Sequence, residues 1–180
     1  HSLLPFFSKK LRLITFFILT ICSFKYSHAQ CPVADVNLVT QADVDNFASN
    51  YAGCAVFPVN LSVDGVGITN LNGLSQLTSI MGNFSVVNTS ITSFAGLSGL
   101  SSIGGTFSVG NNLNLTSFAG LSSLSSIGDD FNVVSNPALT SFNGLSGLTS
   151  IVGIFNINTN PSLTSLSGLS GLSSIGEAFY

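Results

Sequence analysis

Beyond His28 the 180-residue chain contains no lysine, arginine or histidine, and it has no tryptophan anywhere. All four basic residues, Lys9, Lys10, Arg12 and Lys25, lie in the first thirty positions, whereas the seven acids, Asp35, Asp43, Asp45, Asp64, Asp129, Asp130 and Glu177, all lie later. Residues 31–180 therefore carry a side-chain charge of about −7. A phosphate backbone is held mainly by Lys and Arg that displace counterions, so the composition argues against nucleic acid as a partner, and equally against an anionic lipid surface. Ser–His, Cys–His and lysine-based catalysis lack their base, and a zinc site lacks histidine. No catalytic residue, cofactor or metal is expected. With 45% hydrophobic and 6% charged residues, the chain is too apolar to be disordered.

Lys9 and Lys10 precede the largely apolar run Leu11 to Phe24, which holds Arg12 near its start, and a polar stretch ending Ser27, His28, Ala29 follows. A basic start, about a dozen apolar residues and small residues three and one positions before the break describe a secretory signal peptide over 1–29, with cleavage expected between Ala29 and Gln30. A spanning helix needs roughly 20 apolar residues, so the mature chain is not expected to insert in a membrane. Lipidation at Cys22 is disfavoured because Ile21 before it is not small. The sequence begins at His1 instead of Met, so the start of the gene product is expected to lie upstream.

The mature chain keeps Cys31 and Cys54. Two cysteines in an exported chain argue for one disulfide over two free buried thiols. Between them Thr40 can cap a helix with Asp43 in its first turn, and Val44, Phe47, Ala48 and Tyr51 follow at helical spacing up to Gly53. This predicts one short helix, placed to cover the apolar end of whatever follows.

From Ile68 the sequence repeats about every 24 residues, for four and a half units. They read ITNLNGLSQLTSIMGNFSVVNTS, ITSFAGLSGLSSIGGTFSVGNNLN, LTSFAGLSSLSSIGDDFNVVSNPA, LTSFNGLSGLTSIVGIFNINTNPS and LTSLSGLSGLSSIGEAFY. Within one unit Leu115, Phe118, Leu121, Leu124 and Ile127 stand three apart, then Phe131 and Val133 two apart. On a helix the period-three row would wrap by about 240° over five positions, which makes no stripe. The alternating FNV and FSV segments predict short strands with Phe and Val inward, and LTSF and LSSI predict further extended pieces. One unit offers too few apolar side chains to offset the entropy of ordering it, so the units must stack. Stacking about 4.8 Å apart places Phe107, Phe131 and Phe155 in one inner column and Ile103, Ile127, Ile151 and Ile175 in another. Asn112, Asn136 and Asn160 recur at one turn, where an amide ladder can satisfy backbone groups.

The array, with its IGxxFxVxxNPxLTSF core, resembles the receptor L-domain, a leucine-rich-repeat-like family of growth-factor-receptor ectodomains, fungal wall proteins and bacterial surface proteins. The lead-in ASNYAGCAVFPVNLSVDG is similar to that family's first coil. The resemblance covers residues 31–180. It implies an all-β, right-handed parallel β-solenoid with a short N-terminal capping helix, Cys31 and Cys54 as the capping disulfide, and Leu61 and Val63 as the first inward strand positions. The organisation is then a signal peptide over 1–29, cap and first coil over 30–67, and repeats over 68–180 ending half-way through a unit. That ending predicts a fragment with further chain beyond Tyr180. The resemblance extends to exported proteins of Gram-negative bacteria, and so implies secretion or surface display in such an organism.

Among candidate sites, Asp129 and Asp130 are the one adjacent acidic pair in the repeats, in a Gly-Asp-Asp context that reads as a solvated turn. A glycosidase needs two carboxylates across a cleft, and Glu177 stands two coils away, so no enzyme is expected. The outward positions of the F-x-V-x strands form the candidate binding face: Ser85, Ser108, Asn132 and Asn156 in one column, with Val87, Gly110, Val134 and Asn158 in the next. An uncharged surface of amides and hydroxyls suits an extracellular protein or a glycan. A structural spacer of the cell envelope is the alternative, and ice binding a lesser one, since Thr116 and Ser117 are neighbours where Thr-x-Thr rows would be wanted. Sequons at Asn60, Asn83, Asn88 and Asn114 would matter only in a eukaryotic secretory pathway.

Overall fold

The computed structural model describes residues 31–180, so the signal segment and the Ala29–Gln30 cleavage site lie outside the described residues. The chain winds as a parallel β-solenoid with two six-stranded sheets. The longer strands are β1 (Val36–Leu38), β3 (Leu61–Asp64), β5 (Phe84–Val87), β7 (Phe107–Gly110), β9 (Phe131–Val134) and β11 (Phe155–Asn158), hydrogen-bonded in that order. Two-residue strands make the second sheet: β2 (Val56–Phe57), β4 (Ser79–Ile80), β6 (Ser102–Ile103), β8 (Ser126–Ile127), β10 (Ser150–Ile151) and β12 (Ser174–Ile175). Each coil contributes one strand to each sheet, in register with the coil before it. Phe107 pairs with Phe131, and Ile103 with Ile127.

Period-two alternation sets the longer strands: Phe131 and Val133 are buried, while Asn132 and Val134 are only half-buried on the outer side. The period-three row supplies the rest of the interior, with Leu115, Phe118, Leu121, Leu124 and Ile127 all at 0% exposure. Phenylalanine forms two columns. Rings of Phe84, Phe107, Phe131 and Phe155 stack at 5.0–5.4 Å with planes within 4°. Phe94, Phe118 and Phe142 stack beside them at 5.3 Å and meet the first column edge-on, as Phe94 meets Phe107 at 72°. Their faces and edges are thereby both partnered.

The amide ladder forms as the repeat implies. Asn112 and Asn136 are completely buried. Oδ1 of Asn136 accepts the Asn112 backbone N–H at 3.1 Å, and its Nδ2 donates to the carbonyl of Val109 in the preceding coil. Asn160 does the same for Asn136 and Val133. The ladder starts at Thr89, whose N–H and hydroxyl both donate to Asn112 Oδ1.

At the amino-terminal end Cys31 and Cys54 form a disulfide with 5.3 Å between Cα atoms. The expected single helix is instead two short ones, α1 (Gln41–Asp45) and α2 (Phe47–Asn50), meeting at Asn46. Asn46 bonds back to the Ala42 carbonyl through both its backbone N–H and its side chain, which closes α1 there. Thr40 and Asp43 make a reciprocal capping box, and Ala48, assigned to the apolar face by spacing, points to solvent. Val44 and Phe47 cover the end of the core, with Phe47 5.3 Å from Phe57. Two further expectations need correction. The first inward strand positions are Val36 and Leu38, which pair with Leu61 and Val63, so a coil precedes the one expected to come first. LTSF adds no strand: Thr116 N–H bonds to the Thr92 carbonyl, yet the short sheet is confined to Val56–Phe57 and the five Ser-Ile pairs. Between these runs the backbone bonds are isolated, Thr140 N–H to the Thr116 carbonyl and Thr164 N–H to the Thr140 carbonyl, and they do not continue as a ladder before the glycine two residues beyond the run.

Candidate functional site

The candidate face is the outer side of the longer sheet. Parallel register brings its residues together as two columns. Ser85 pairs with Ser108, Ser108 with Asn132, and Asn132 with Asn156. Beside them Val87, Gly110, Val134 and Asn158 are aligned on the same four strands. Asn37 and Ser62 extend the first column toward the amino terminus, and Asp64 extends the second. These three were missed because their coils precede the recognisable repeat. The signal was the alternation of VNL and LSVD.

The sheet underneath is fully used: every strand between β1 and β11 has a partner on both sides, so the face offers side chains and no backbone edge. Asn156 Nδ2 donates to Asn132 Oδ1 at 3.3 Å, which fixes both amides and leaves their remaining polar atoms outward. The column beside it is apolar at Val87 and Val134 and empty at Gly110. That leaves a depression of about 250 Å³ lined by Val87, Ser108, Gly110, Asn132 and Val134.

A second polar ladder borders the face, one residue before each longer strand. Asp35 Oδ1 accepts the Asn60 N–H, Asn60 Oδ1 the Asn83 N–H, Asn83 Oδ1 the Thr106 N–H, and Asp130 Oδ1 the Ile154 N–H, at 2.7–3.2 Å. Sequence reasoning passed over it because its members fall in differently spaced coils; the shared signal is a short acceptor just ahead of the strand. Asp129 accepts from the Thr106 hydroxyl of the preceding coil at 2.8 Å and Asp130 from the Ile154 N–H of the following one, so both acids of the adjacent pair are engaged by neighbouring coils. Among the described residues no three His, Cys, Asp or Glu side chains cluster as metal ligands. The Thr40 hydroxyl, with the backbone N–H groups of Thr40 and Val39, holds the Asp43 carboxyl below the usual value of 3.8.

The other sides are chemically quieter. Ser101, Ser125, Thr149 and Ser173 each donate their hydroxyl to a carbonyl of the preceding coil at 2.8–3.0 Å, as do Thr116 and Thr140 at 3.1 and 3.2 Å. These exposed hydroxyls form ladders within the chain. Among the described residues no helix is long and apolar enough to cross a membrane. Of the sequon asparagines, Asn60 and Asn83 serve the bordering ladder and Asn88 donates to Asp64. No family model, curated protein or solved structure matches the chain.

Proposed function

We propose that this β-solenoid is an exported binding or adhesion module of the receptor L-domain type, displayed on or released from a cell, that meets an extracellular protein or glycan with the outer face of its longer sheet. One observation carries the reading. The inner columns are nearly uniform, Phe above Phe and Val above Val, while the outward columns on the same strands change from coil to coil: Ser, Ser, Asn, Asn beside Val, Gly, Val, Asn. Stacking demands the first pattern and leaves the second free. A disulfide at the cap suits an oxidising, extracytoplasmic setting, and the amino-terminal signal-like segment suits export; a Gram-negative source is what the receptor L-domain resemblance implies. The proposed role is non-enzymatic, with no nucleic acid, cofactor or membrane insertion of the mature chain.

A spacer of the cell envelope is the second reading. The hydroxyl ladders favour it, because they show a surface whose donors are largely satisfied by the chain itself. Screening the chain against glycans and cell-surface proteins, beside an Asn132→Ala/Asn156→Ala variant, separates the two. Binding that weakens in the variant supports the face as the site. Equal binding by both removes it from this face, and no binding by the parent leaves the spacer.

A further inference from the structure

Gly110 is the one glycine in the outward columns, and the fold does not ask for it. Its φ is not positive, unlike that of Gly96, Gly120, Gly144 and Gly168. A Cβ built there would meet only Val134 O at 3.5 Å and Val87 Cγ1 at 3.6 Å, which are ordinary contacts. Aligned positions on the neighbouring strands carry Asp64, Val87, Val134 and Asn158, so the same backbone accepts side chains elsewhere in the column. Glycine inside a strand is less stable than alanine and withholds a side chain from the surface; where, as here, neither a bulge nor a positive φ calls for it, the remaining common reason is close approach of a ligand or another backbone.

The surroundings define what that is. Val87 and Val134 wall the depression along the column, and Ser108 and Asn132 bring a hydroxyl and an amide to its side. No ionisable side chain lines it, and residues 31–180 contain no cation that could meet an anionic ligand. Peptides are usually taken by strand addition, by helix grooves, by aromatic-lined grooves or by charge. Here β7 is paired on both sides by β5 and β9, and the lining has neither an aromatic nor a charge. What fits a shallow uncharged notch with aliphatic walls and neutral donors and acceptors is a flat ring with C–H faces and equatorial hydroxyls. At the next residues along the same coils, Asn88 and Asn111 line a second depression of about 360 Å³ beside Val66 and Leu113, which are 78% and 67% exposed. This gives a neutral chain of rings somewhere to continue.

We infer that the notch floored by Gly110 is a subsite for one ring of a neutral saccharide. The inference rests on the binding-face reading above and names its ligand class.

The test measures binding of the chain to maltohexaose, cellohexaose, laminarihexaose and chitohexaose by calorimetry, with Gly110→Val, Gly110→Ala and the Asn132→Ala/Asn156→Ala variant in parallel. Melting temperatures are recorded for each. The inference expects one hexasaccharide to bind the parent, at least tenfold weaker binding by Gly110→Val at an unchanged or higher melting temperature, and a smaller loss for Gly110→Ala. Should Gly110→Val fold poorly, Gly110→Ala decides: a threefold or greater loss of binding at an unchanged or higher melting temperature supports the subsite, and parental binding removes it. If both Gly110 variants bind like the parent while the asparagine variant does not, the face stands and the subsite falls. If the parent ignores all four sugars but binds a surface protein through the asparagines, the saccharide falls and the face stands. Binding to neither class overturns both.

Discussion

The rings of Phe107 and Phe131 lie one coil apart with centroids 5.2 Å distant and planes inclined by 2°. Each also touches a ring of the second column edge-on, Phe107 with Phe94 and Phe131 with Phe118. Removing the Phe131 ring therefore opens a hole bounded by four others, Phe107, Phe155, Phe118 and Phe142. Phe131→Ala is expected to cost about 3–5 kcal/mol. Chemical denaturation should show it, and a loss within the roughly 0.5 kcal/mol of a surface change would contradict the packing.

Asn136 serves two coils at once. Asn136→Ala leaves the Asn112 N–H without its acceptor and the Val109 carbonyl without the Asn136 amide, both in the dry interior. At about 1–3 kcal/mol for each unsatisfied buried group, a total loss of about 2–6 kcal/mol is expected. Asn136→Asp, which keeps the acceptor but loses the donor and buries a charge, should be no milder. A neutral outcome for either variant in equilibrium unfolding would show that the ladder is dispensable.

The disulfide ties ends 23 positions apart around β1, α1 and α2. In the chain-entropy description a loop of that size contributes about 3 kcal/mol. Cys31→Ser with Cys54→Ala should lower the denaturation midpoint accordingly, with the loss of protection starting at the cap. Hydrogen exchange of Val44 and Phe47 amides, faster than that of the Phe131 amide in the variant, would confirm where the array opens.

Asp43 supplies the pH-dependent element of the cap. Its carboxyl titrates below 3.8 because the Thr40 hydroxyl and the backbone N–H groups of Thr40 and Val39 bond the ionised form. A carboxyl with a lowered folded pKa adds stability above its unfolded value and loses that contribution as pH falls through the folded one. The NMR titration midpoint of Asp43 should lie below 3.8 and rise in Thr40→Ala. A midpoint at or above 3.8 in the parent would contradict the capping box.

Two glycines should respond oppositely to the same change. Gly120 has φ +110°, and a Cβ there would run into the backbone carbonyl of Phe94. Gly110 has neither constraint. Gly120→Ala is expected to destabilise by about 1–3 kcal/mol or more, and Gly110→Ala to stabilise slightly. Thermal melts of the pair test this, and similar losses at both positions would mean that Gly110 is structural and not a surface feature.

Much of this architecture can be read from the residues, because stacking turns a linear period into a spatial column. Phe107, Phe131 and Phe155 share a register in the sequence and share a stack in space. The same holds for Asn112, Asn136 and Asn160. What could not be read lies where the period fails. Val36 and Leu38 make an extra first coil with no repeat signature, since the cap helices interrupt it. The bordering ladder runs through Asp35, Asn60 and Asn83, whose separations of 25 and 23 residues follow no single period. The break at Asn46 depends on its side chain bonding Ala42, a local choice that helical spacing of Val44, Phe47 and Tyr51 does not reveal. On the candidate face, the column members within the repeats were legible from alternation, and Asn37, Ser62 and Asp64 ahead of the repeats were not. The notch at Gly110 was not, because its meaning comes from the ordinary backbone and open space that surround it.

The inner stack and the outward face both require that successive coils lie in register, one residue type above its counterpart. Ring-to-ring nuclear Overhauser contacts among assigned phenylalanines measure that directly. The account predicts contacts of Phe131 with Phe107, Phe155 and Phe118, and none between Phe107 and Phe155. A spectrum in which Phe131 contacts neither Phe107 nor Phe155 would contradict it.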